Sequence, residues 1–338
     1  MVKNVAAFGE VMMRLQVPGF ESLAQGNTLQ YSFSGTGVNI VSALARFGHS
    51  GYLISTLPEN SIGEAAMAYL RKLNITTTFI NRAGKYIGMY FLENGFGARP
   101  SRVTYTDRLG SSFNTASVDA YDYGKIVQGI DIIHFCGITL AMNDNVRSHM
   151  KALAREVKNN GGTVVFDCNY RPTLWGPNGY IDAKPHYEEM LELADIVMMN
   201  EKDAMFILGM TTTATERIEQ LQDLIPKVAH RYGIAAAAGT HRSINSNNTH
   251  SLIGYLYQEN QFQFSRTSTF AVYDRIGAGD AYASGIIHGA AQEFTAGQTV
   301  EFAAAAAILA HTVPGDTPSA TEAEVIQAIT AQTLDVER

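Results

Sequence analysis

The chain has 338 residues, 46% of them hydrophobic and 17% charged, which provides enough apolar side chains for a sizeable buried core. Its formal net charge of -7 argues against a general affinity for nucleic acid or for anionic membrane surfaces. Two cysteines without a paired spacing, no apolar run of membrane-spanning length and no signal-peptide layout predict a cytoplasmic protein without a disulfide framework or zinc site.

Short apolar runs alternate with helical patterns along most of the chain. The apolar runs lack polar and apolar alternation, as expected for parallel strands that are covered on both faces. The predicted strands are residues 5–9, 51–57, 131–137, 163–167, 195–199 and 234–238, with a hairpin at 251–257 and 261–265. The predicted helices are residues 38–47, 144–159 and 187–194. This order predicts an α/β fold with a doubly wound, mostly parallel sheet flanked by helices, in which ligands bind at the carboxyl ends of the strands.

Two segments interrupt this alternation, because they contain strand-like pieces with glycine, proline and aromatic residues but no helical pattern. Within the second segment, residues 88–92 and 102–105 resemble antiparallel strands. We therefore expect both segments to form one small sheet beside the main domain. The predicted domains are a β-sheet lid of residues 14–33 and 85–109 and an α/β core of residues 1–13, 34–84 and 110–335.

The stretch Gly277-Ala278-Gly279-Asp280 stands directly before a strong helical pattern. Glycines at this position let backbone N–H groups converge on one point, where the helix N-terminus also favours negative charge. The stretch therefore predicts an anion hole for a phosphoryl group, with Asp280 accepting the proton of an attacking hydroxyl. The alternative is that Asp280 only caps the helix, and the short motif by itself leaves both interpretations open.

Two longer stretches carry a more specific signal. Residues 274–285 resemble the C-terminal signature of the PfkB (ribokinase-like) carbohydrate kinases, and residues 34–48 resemble their N-terminal signature. The resemblance extends over nearly the entire chain and implies a ribokinase-like α/β domain, a β-sheet lid and ATP-dependent phosphorylation of a sugar. Residues 88–93, 99–103 and 166–175 are most similar to 2-keto-3-deoxygluconate kinases, which implies a sugar acid as the substrate.

The same resemblance implies particular substrate-binding residues. Gly35 and Asn39 would bind sugar hydroxyls, and the residues that would close around the substrate are Tyr90, Tyr105, Arg108 and Arg171. An arginine can grip a carboxylate with two parallel hydrogen bonds, and residues 82–108 carry five cations against two acids. Arg102 is an alternative to Arg108, since the spacing from Tyr105 to Arg108 is one residue longer than in those kinases. The alternative for Arg171 is a structural ion pair.

The implied nucleotide site lies further along the chain. Asn200-Glu201-Lys202-Asp203 resembles the family motif that organises magnesium and phosphate, largely through water, with Asp203 in place of the usual glutamate. Gly239 and Thr240 fall in the family's nucleotide-binding loop. The implied cofactors are ATP and Mg²⁺, with a monovalent cation near Asp274 in some relatives, and the implied partner is a second copy of the chain.

Three functions remain open at this point. A 2-keto-3-deoxygluconate kinase is the first, and a kinase for another sugar, such as fructose, is the second. The third is a sugar- or nucleotide-binding regulator without turnover, against which Asp280 argues, because a pure binder gains nothing from a carboxylate beside a phosphate. Arg14 stands where ribokinases have a sugar-binding aspartate, which argues against ribose.

Overall fold

The computed structural model describes residues 1–330, in which strands and helices alternate along most of the chain. The strands are β1 (Asn4–Phe8), β2 (Met12–Gln16), β3 (Gln30–Ser34), β4 (Ser50–Leu57), β5 (Ile75–Thr76), β6 (Ile80–Arg82), β7 (Gly88–Glu93), β8 (Arg102–Tyr105), β9 (Ile132–Cys136), β10 (Thr163–Asp167), β11 (Ile196–Met198), β12 (Ala236–Ile244), β13 (His250–Gln258), β14 (Gln261–Phe264) and β15 (Ser268–Phe270). The helices are α1 (Thr36–Arg46), α2 (Ser61–Lys72), α3 (Tyr123–Val127), α4 (Gly137–Leu140), α5 (Asp144–Asn159), α6 (Pro172–Trp175), α7 (Gly179–Leu193), α8 (Arg217–Tyr232), α9 (Ala278–Ala291), α10 (Ala296–Ala310) and α11 (Glu322–Thr330), and Asp203–Ile207 form a π-helical turn.

Within residues 1–330 the large sheet has eleven strands, in the path β14-β13-β12-β11-β10-β9-β1-β4-β5, with β15 paired to β13 and β6 paired to β4. The strands from β12 to β4 in this path run parallel, while β13 and β14 add an antiparallel edge. One large apolar core lies between the sheet and α5, α7 and α8, and a second lies beneath α1, α9 and α10. The predicted doubly wound α/β fold is confirmed.

A separate four-stranded sheet, in the order β3-β2-β7-β8, draws on both of the irregular segments. Strand β2 pairs in parallel with β7, and the outer strands β3 and β8 pair antiparallel to their neighbours. We call this sheet the lid sheet. Its buried residues Met12, Tyr90 and Leu92 pack against Ile276, which lies in the loop before α9. The lid sheet therefore rests directly on the glycine-rich stretch.

The structure tests two predicted elements, the hairpin and the helix at residues 187–194. The hairpin between β13 and β14 turns at Glu259 and Asn260, which have φ values of 52° and 60°, as a two-residue hairpin turn requires. The helix predicted at residues 187–194 is longer than expected, because α7 begins at Gly179 and continues through Pro185. Residues 331–335 of the predicted core lie outside the described residues. None of the helices within residues 1–330 combines the length and the apolarity needed to span a bilayer.

Candidate functional site

A cavity of about 630 Å³ lies at the carboxyl ends of the central strands, between the main domain and the lid sheet. Asp167 at the end of β10, Asn200 after β11 and Gly239 in β12 line its floor. Tyr90 of β7 lines it from the lid sheet, and Gly277 lines it from the N-terminus of α9. The cavity is thus at the edge of the sheet where the fold predicts a ligand.

The N-terminus of α9 has the geometry of an anion site. Gly277 precedes the helix with φ 81°, and a Cβ atom at this position would lie 1.8 Å from the carbonyl oxygen of Asp316, so only glycine fits. No side chain of residues 1–330 caps the helix, which leaves the first backbone N–H groups for a ligand. Gly277 and Gly279 face the large cavity, whereas Ala278 is buried and faces a smaller one next to it.

Asp280 lies in the first turn of α9, where 8% of its surface is exposed at the cavity wall. The amide of Asn39 donates a hydrogen bond of 2.6 Å to Asp280, and Thr317 donates to the amide oxygen of Asn39 at 3.3 Å. Burial, together with the negative charge of Asp316, raises the pKa of Asp280 to about 7, against the opposing effects of Asn39 and Arg171. Asn39, expected to bind sugar, therefore also holds the carboxylate of Asp280 in place, and Gly35 lies close by in the same wall.

Two of the three other carboxylates in the cavity, those of Asp167 and Asp203, also have raised pKa values. Burial and the charge of Asp280 raise the pKa of Asp167 to about 7. Burial also raises the pKa of Asp203 to about 7, although the backbone N–H of Asn200 donates to this carboxylate at 2.8 Å. The amide oxygen of Asn200 accepts the N–H of Lys202 at 2.8 Å, so Asn200 also caps the turn that follows β11. At neutral pH these carboxylates are poised between their two protonation states.

Arg14 anchors the lid sheet to the main domain through buried ion pairs. Its guanidinium bonds the carboxylate of Asp316 and lies 3.7 Å from that of Asp274, and these three side chains are only 3–6% exposed. The Tyr90 hydroxyl donates to the other oxygen of Asp316 and lies 2.8 Å from the hydroxyl of Ser34. Tyr90, expected to contact substrate, therefore lines the cavity and also belongs to this network.

The carboxylate of Asp274 supports the backbone in front of the anion site. It accepts the N–H groups of Arg275 at 2.7 Å, Ile276 at 3.1 Å and Gly315 at 3.2 Å. These bonds fix the loop from which α9 begins. Through its two acidic partners, Arg14 thus connects the lid sheet to the loop before the glycine-rich stretch, which contains Asp274, and to the loop that contains Asp316.

The three candidate arginines have different surroundings. Arg108 lines the cavity and stacks 5.6 Å from the ring centre of Tyr105, but its charge is already paired with the buried Glu10. Arg171 lines the cavity, bonds only the carbonyl oxygen of Tyr170, and forms no ion pair within the described part of the chain. The side chain of Arg102 is 76% exposed, lies 3.9 Å from Glu93 and does not line the cavity.

Gly239 and Thr240 line the cavity, and Thr240 also lines the smaller cavity next to it. The next residue, His241, lies 2.8 Å from the carboxylate of Glu201, which is fully buried. Arg217 of α8 donates to the same carboxylate at 2.7 Å. These bonds tie the loop after β11 to β12. Within residues 1–330 no group of three His, Cys, Asp or Glu side chains is arranged to hold a metal ion directly.

Sequence reasoning missed three charged residues of the cavity wall: Asp167, Arg275 and Asp316. The signal for Asp167 was its position at the end of a predicted strand, where side chains of neighbouring strands meet. Arg275 stands inside the glycine-rich signature, which directed attention to its glycines and aspartates. Asp316 lies in an irregular loop, and only the fold brings it to Tyr90 and Gly277.

Comparison with known proteins adds independent findings. The family model for pfkB family carbohydrate kinases matches residues 2–323. A 2-dehydro-3-deoxygalactonokinase of Haloferax volcanii is 27% identical over 342 aligned residues, which cover 100% of both chains. The crystal structure of a 2-dehydro-3-deoxygluconokinase of Thermotoga maritima is similar with a TM-score of 0.93 and 31% identity, over 98% of this chain and 99% of that chain. A structure from Enterococcus faecalis, provisionally described as a 2-keto-3-deoxygluconate kinase, has a TM-score of 0.95 and 38% identity over 99% of both chains.

Proposed function

Because this chain belongs to the pfkB family of carbohydrate kinases, we propose that it transfers the γ-phosphoryl group of ATP to a hydroxyl of a sugar acid. The expected substrate is 2-keto-3-deoxygluconate, which is also named 2-dehydro-3-deoxygluconate. The observation that carries this proposal is that Asp280, the free N-terminus of α9 and an unpaired arginine share one cavity. The names of the relatives over the whole chain point to the same class of substrate.

Asp280 is the proposed base. A group that takes a proton from a hydroxyl works best when its pKa is near the working pH, and burial brings the pKa of Asp280 to about 7. The hydrogen bond from Asn39 fixes the carboxylate beside the helix terminus. The N–H groups of Gly277, Ala278, Gly279 and Asp280 would stabilise the charge on the transferring phosphoryl group.

Arg171 is the proposed partner of the substrate carboxylate. It lines the cavity without an ion-pair partner in the described residues, so its guanidinium can form two parallel hydrogen bonds with a carboxylate of the substrate. Arg108 offers a second guanidinium in the same cavity, although Glu10 already neutralises it. Arg102 is too far out on the lid sheet to contribute, because its side chain is largely exposed outside the cavity.

The residues present fit a hydrated magnesium ion that is held mainly by phosphates and water. Asn200 and Asp203 line the cavity with polar atoms, and the lack of a direct three-ligand cluster in residues 1–330 is compatible with an ion that keeps most of its waters. Bound with the nucleotide, Mg²⁺ would neutralise phosphate charge. Gly239 and Thr240 would contact the nucleotide. Replacing sodium with potassium in the assay tests the expected monovalent cation near Asp274.

The decisive experiment measures ADP release over a panel of sugars and sugar acids. We expect turnover with 2-keto-3-deoxygluconate or its galactonate epimer and little with fructose or ribose. ADP release only with neutral ketoses would replace the sugar-acid proposal with the fructose-type alternative. Binding of sugar and nucleotide without ADP release from any of them would favour the regulator.

Asp280→Asn tests the base directly. We expect the variant to bind nucleotide and keep its melting temperature, while kcat falls by about 10²- to 10⁴-fold, the usual contribution of a positioned base. Asp119→Asn, which removes a fully exposed carboxylate, is the matched control and should keep wild-type turnover. Turnover of Asp280→Asn within a few-fold of wild type would remove Asp280 from this role.

The lid sheet is also the proposed contact of a homodimer. Tyr31 is 61% exposed on β3 and Tyr105 is 50% exposed on β8, so apolar rings at both edges of the lid sheet face solvent. Analytical ultracentrifugation should give the mass of a dimer, and Tyr31→Ser with Tyr105→Ser should shift it to the monomer. A monomer in the wild type would contradict this contact.

A further inference from the structure

A second cavity, of about 130 Å³, lies beside the first and shares Thr240, Arg275 and Gly279 with it. Unlike the large cavity, which is lined by four aspartates, it has no carboxylate among its lining residues. Two arginines line it instead: Arg242 from β12 and Arg275 from the loop before α9. The charge of this small cavity is therefore opposite to that of the site of Asp280.

The two arginines have no carboxylate within ion-pair distance in the described residues. Neither forms an ion pair within residues 1–330, and the guanidinium of Arg242 instead lies 2.7 Å from a ring nitrogen of the buried His250. Burial, and then the positive charge of Arg275, lowers the pKa of Arg242. The two positive charges beside this small cavity repel each other, and an anion between them would attract both and offset that repulsion.

We propose that Arg242 and Arg275 form a clamp for the phosphates of the nucleotide that are not transferred. The proposal rests on the proposed kinase function and adds to it the residues that hold the donor. Gly279 faces both cavities, so a chain of phosphates that has its last member at the anion hole can continue past α9 to the two arginines. Arginine suits this task, because its planar group donates two parallel hydrogen bonds to a phosphate.

The sugar carboxylate is a poorer occupant of this clamp. Asp280 and Asp316 line the large cavity on the sugar side, and Arg171 already offers an unpaired guanidinium there. A single carboxylate would also balance only one of the two positive charges. A polyphosphate carries enough negative charge to satisfy both arginines and the helix terminus together.

The test compares Arg242→Gln and Arg275→Gln with the control Arg71→Gln, which removes one exposed positive charge from α2. Calorimetry with ADP and Mg²⁺, in the absence of sugar, should show about 10-fold or greater weakening for each clamp variant and none for the control, as for the loss of a charged hydrogen bond. In steady-state kinetics the KM for ATP should rise in the same proportion, while the KM for the sugar acid stays at the wild-type value.

A thermal readout separates a ligand clamp from a structural role. Without ligand, Arg275→Gln should melt at or above the wild-type temperature, because it removes a like-charge contact, whereas loss of a structural arginine lowers the melting temperature. Wild-type affinity for ADP in both clamp variants would overturn the proposal, and so would a lower melting temperature accompanied by a higher KM for the sugar acid. If wild-type protein binds ADP but phosphorylates no sugar, the proposed function fails and the calorimetric comparison still decides the clamp.

Discussion

Replacing Arg14 with methionine should destabilise the protein far more than removing an arginine from its surface. In the wild type, Arg14 pairs with Asp316 and approaches Asp274, and all three side chains are buried between the lid sheet and the loop before α9. Methionine fills a similar volume but leaves two buried carboxylates without their cation. Breaking a buried ion pair in this way costs about 3 to 5 kcal/mol, because the remaining charge is shielded from water and has lost its counter-charge.

This free energy converts into a measurable change in melting temperature. For 338 residues at about 2.1 cal/mol/K each, the entropy of unfolding is roughly 0.7 kcal/mol/K. A loss of about 3 to 5 kcal/mol therefore lowers the melting temperature by about 4 to 7 °C. Arg155→Met is the control, since Arg155 pairs with Glu189 at the surface and should contribute less than about 1 kcal/mol.

Differential scanning calorimetry of wild type, Arg14→Met, Arg155→Met and the double variant Arg14→Met with Asp316→Asn provides the measurement. The double variant should regain part of the lost stability, because it removes one of the stranded charges. An Arg14→Met protein that melts within about 1 °C of Arg155→Met would refute the reasoning, as would a double variant that melts below Arg14→Met.

Three further outcomes follow from the site and the core. Since only ionised Asp280 can accept a proton and its pKa is raised to about 7, kcat/KM should rise with pH through the neutral range, and a flat profile from pH 6 to 8 would contradict the base role. Gly277→Ala should lower kcat by about 10²- to 10³-fold, because its Cβ would collide with the carbonyl oxygen of Asp316 and displace the anion hole; wild-type kinetics would exclude that function. Burial lowers the pKa of His134 from 6.5 to about 3, so below pH 6.5 the unfolded chain binds a proton that the folded chain does not, and stability falls as the pH falls. His134→Leu should therefore make the melting temperature less dependent on pH below 6.5, and an unchanged dependence would contradict this reasoning.

The fold could be predicted from the sequence because buried parallel strands appear there as short apolar runs between helical segments. Strand β8 and helix α5 have the predicted bounds, and β13 and β14 form the predicted hairpin. Helix α7 was predicted too short, because glycine and proline usually end a helix. In the folded chain the burial of Ala183 and Tyr187 carries α7 past Pro185, which is a tertiary effect that no local pattern contains.

Without the family resemblance, the site was accessible from the residues themselves only where they stand in one continuous stretch. Gly277, Gly279 and Asp280 are neighbours in sequence, so helix geometry alone predicted their common direction. Asp316 is 226 residues from Tyr90 along the chain, and their hydrogen bond exists only because the lid sheet rests on the loop before α9. For Arg102 the predicted position in a lid strand was correct, but its side chain is largely exposed and does not line the cavity.

The distribution of charge around α9 explains why the reaction was easier to infer than the substrate. On one side, carboxylates such as Asp167 and Asp280 suit a hydroxyl that must lose a proton, and they repel phosphates. On the other side, Arg242 and Arg275 suit phosphates and offer no acceptor for a hydroxyl proton. The charges alone can thus assign one side to the nucleotide that gives the phosphoryl group and the other side to the hydroxyl that receives it. This assignment requires no contact with the carbon skeleton of the sugar. The identity of the sugar must then depend on side chains outside α9, foremost Arg171, whose position follows from the folded loop and not from a compact motif.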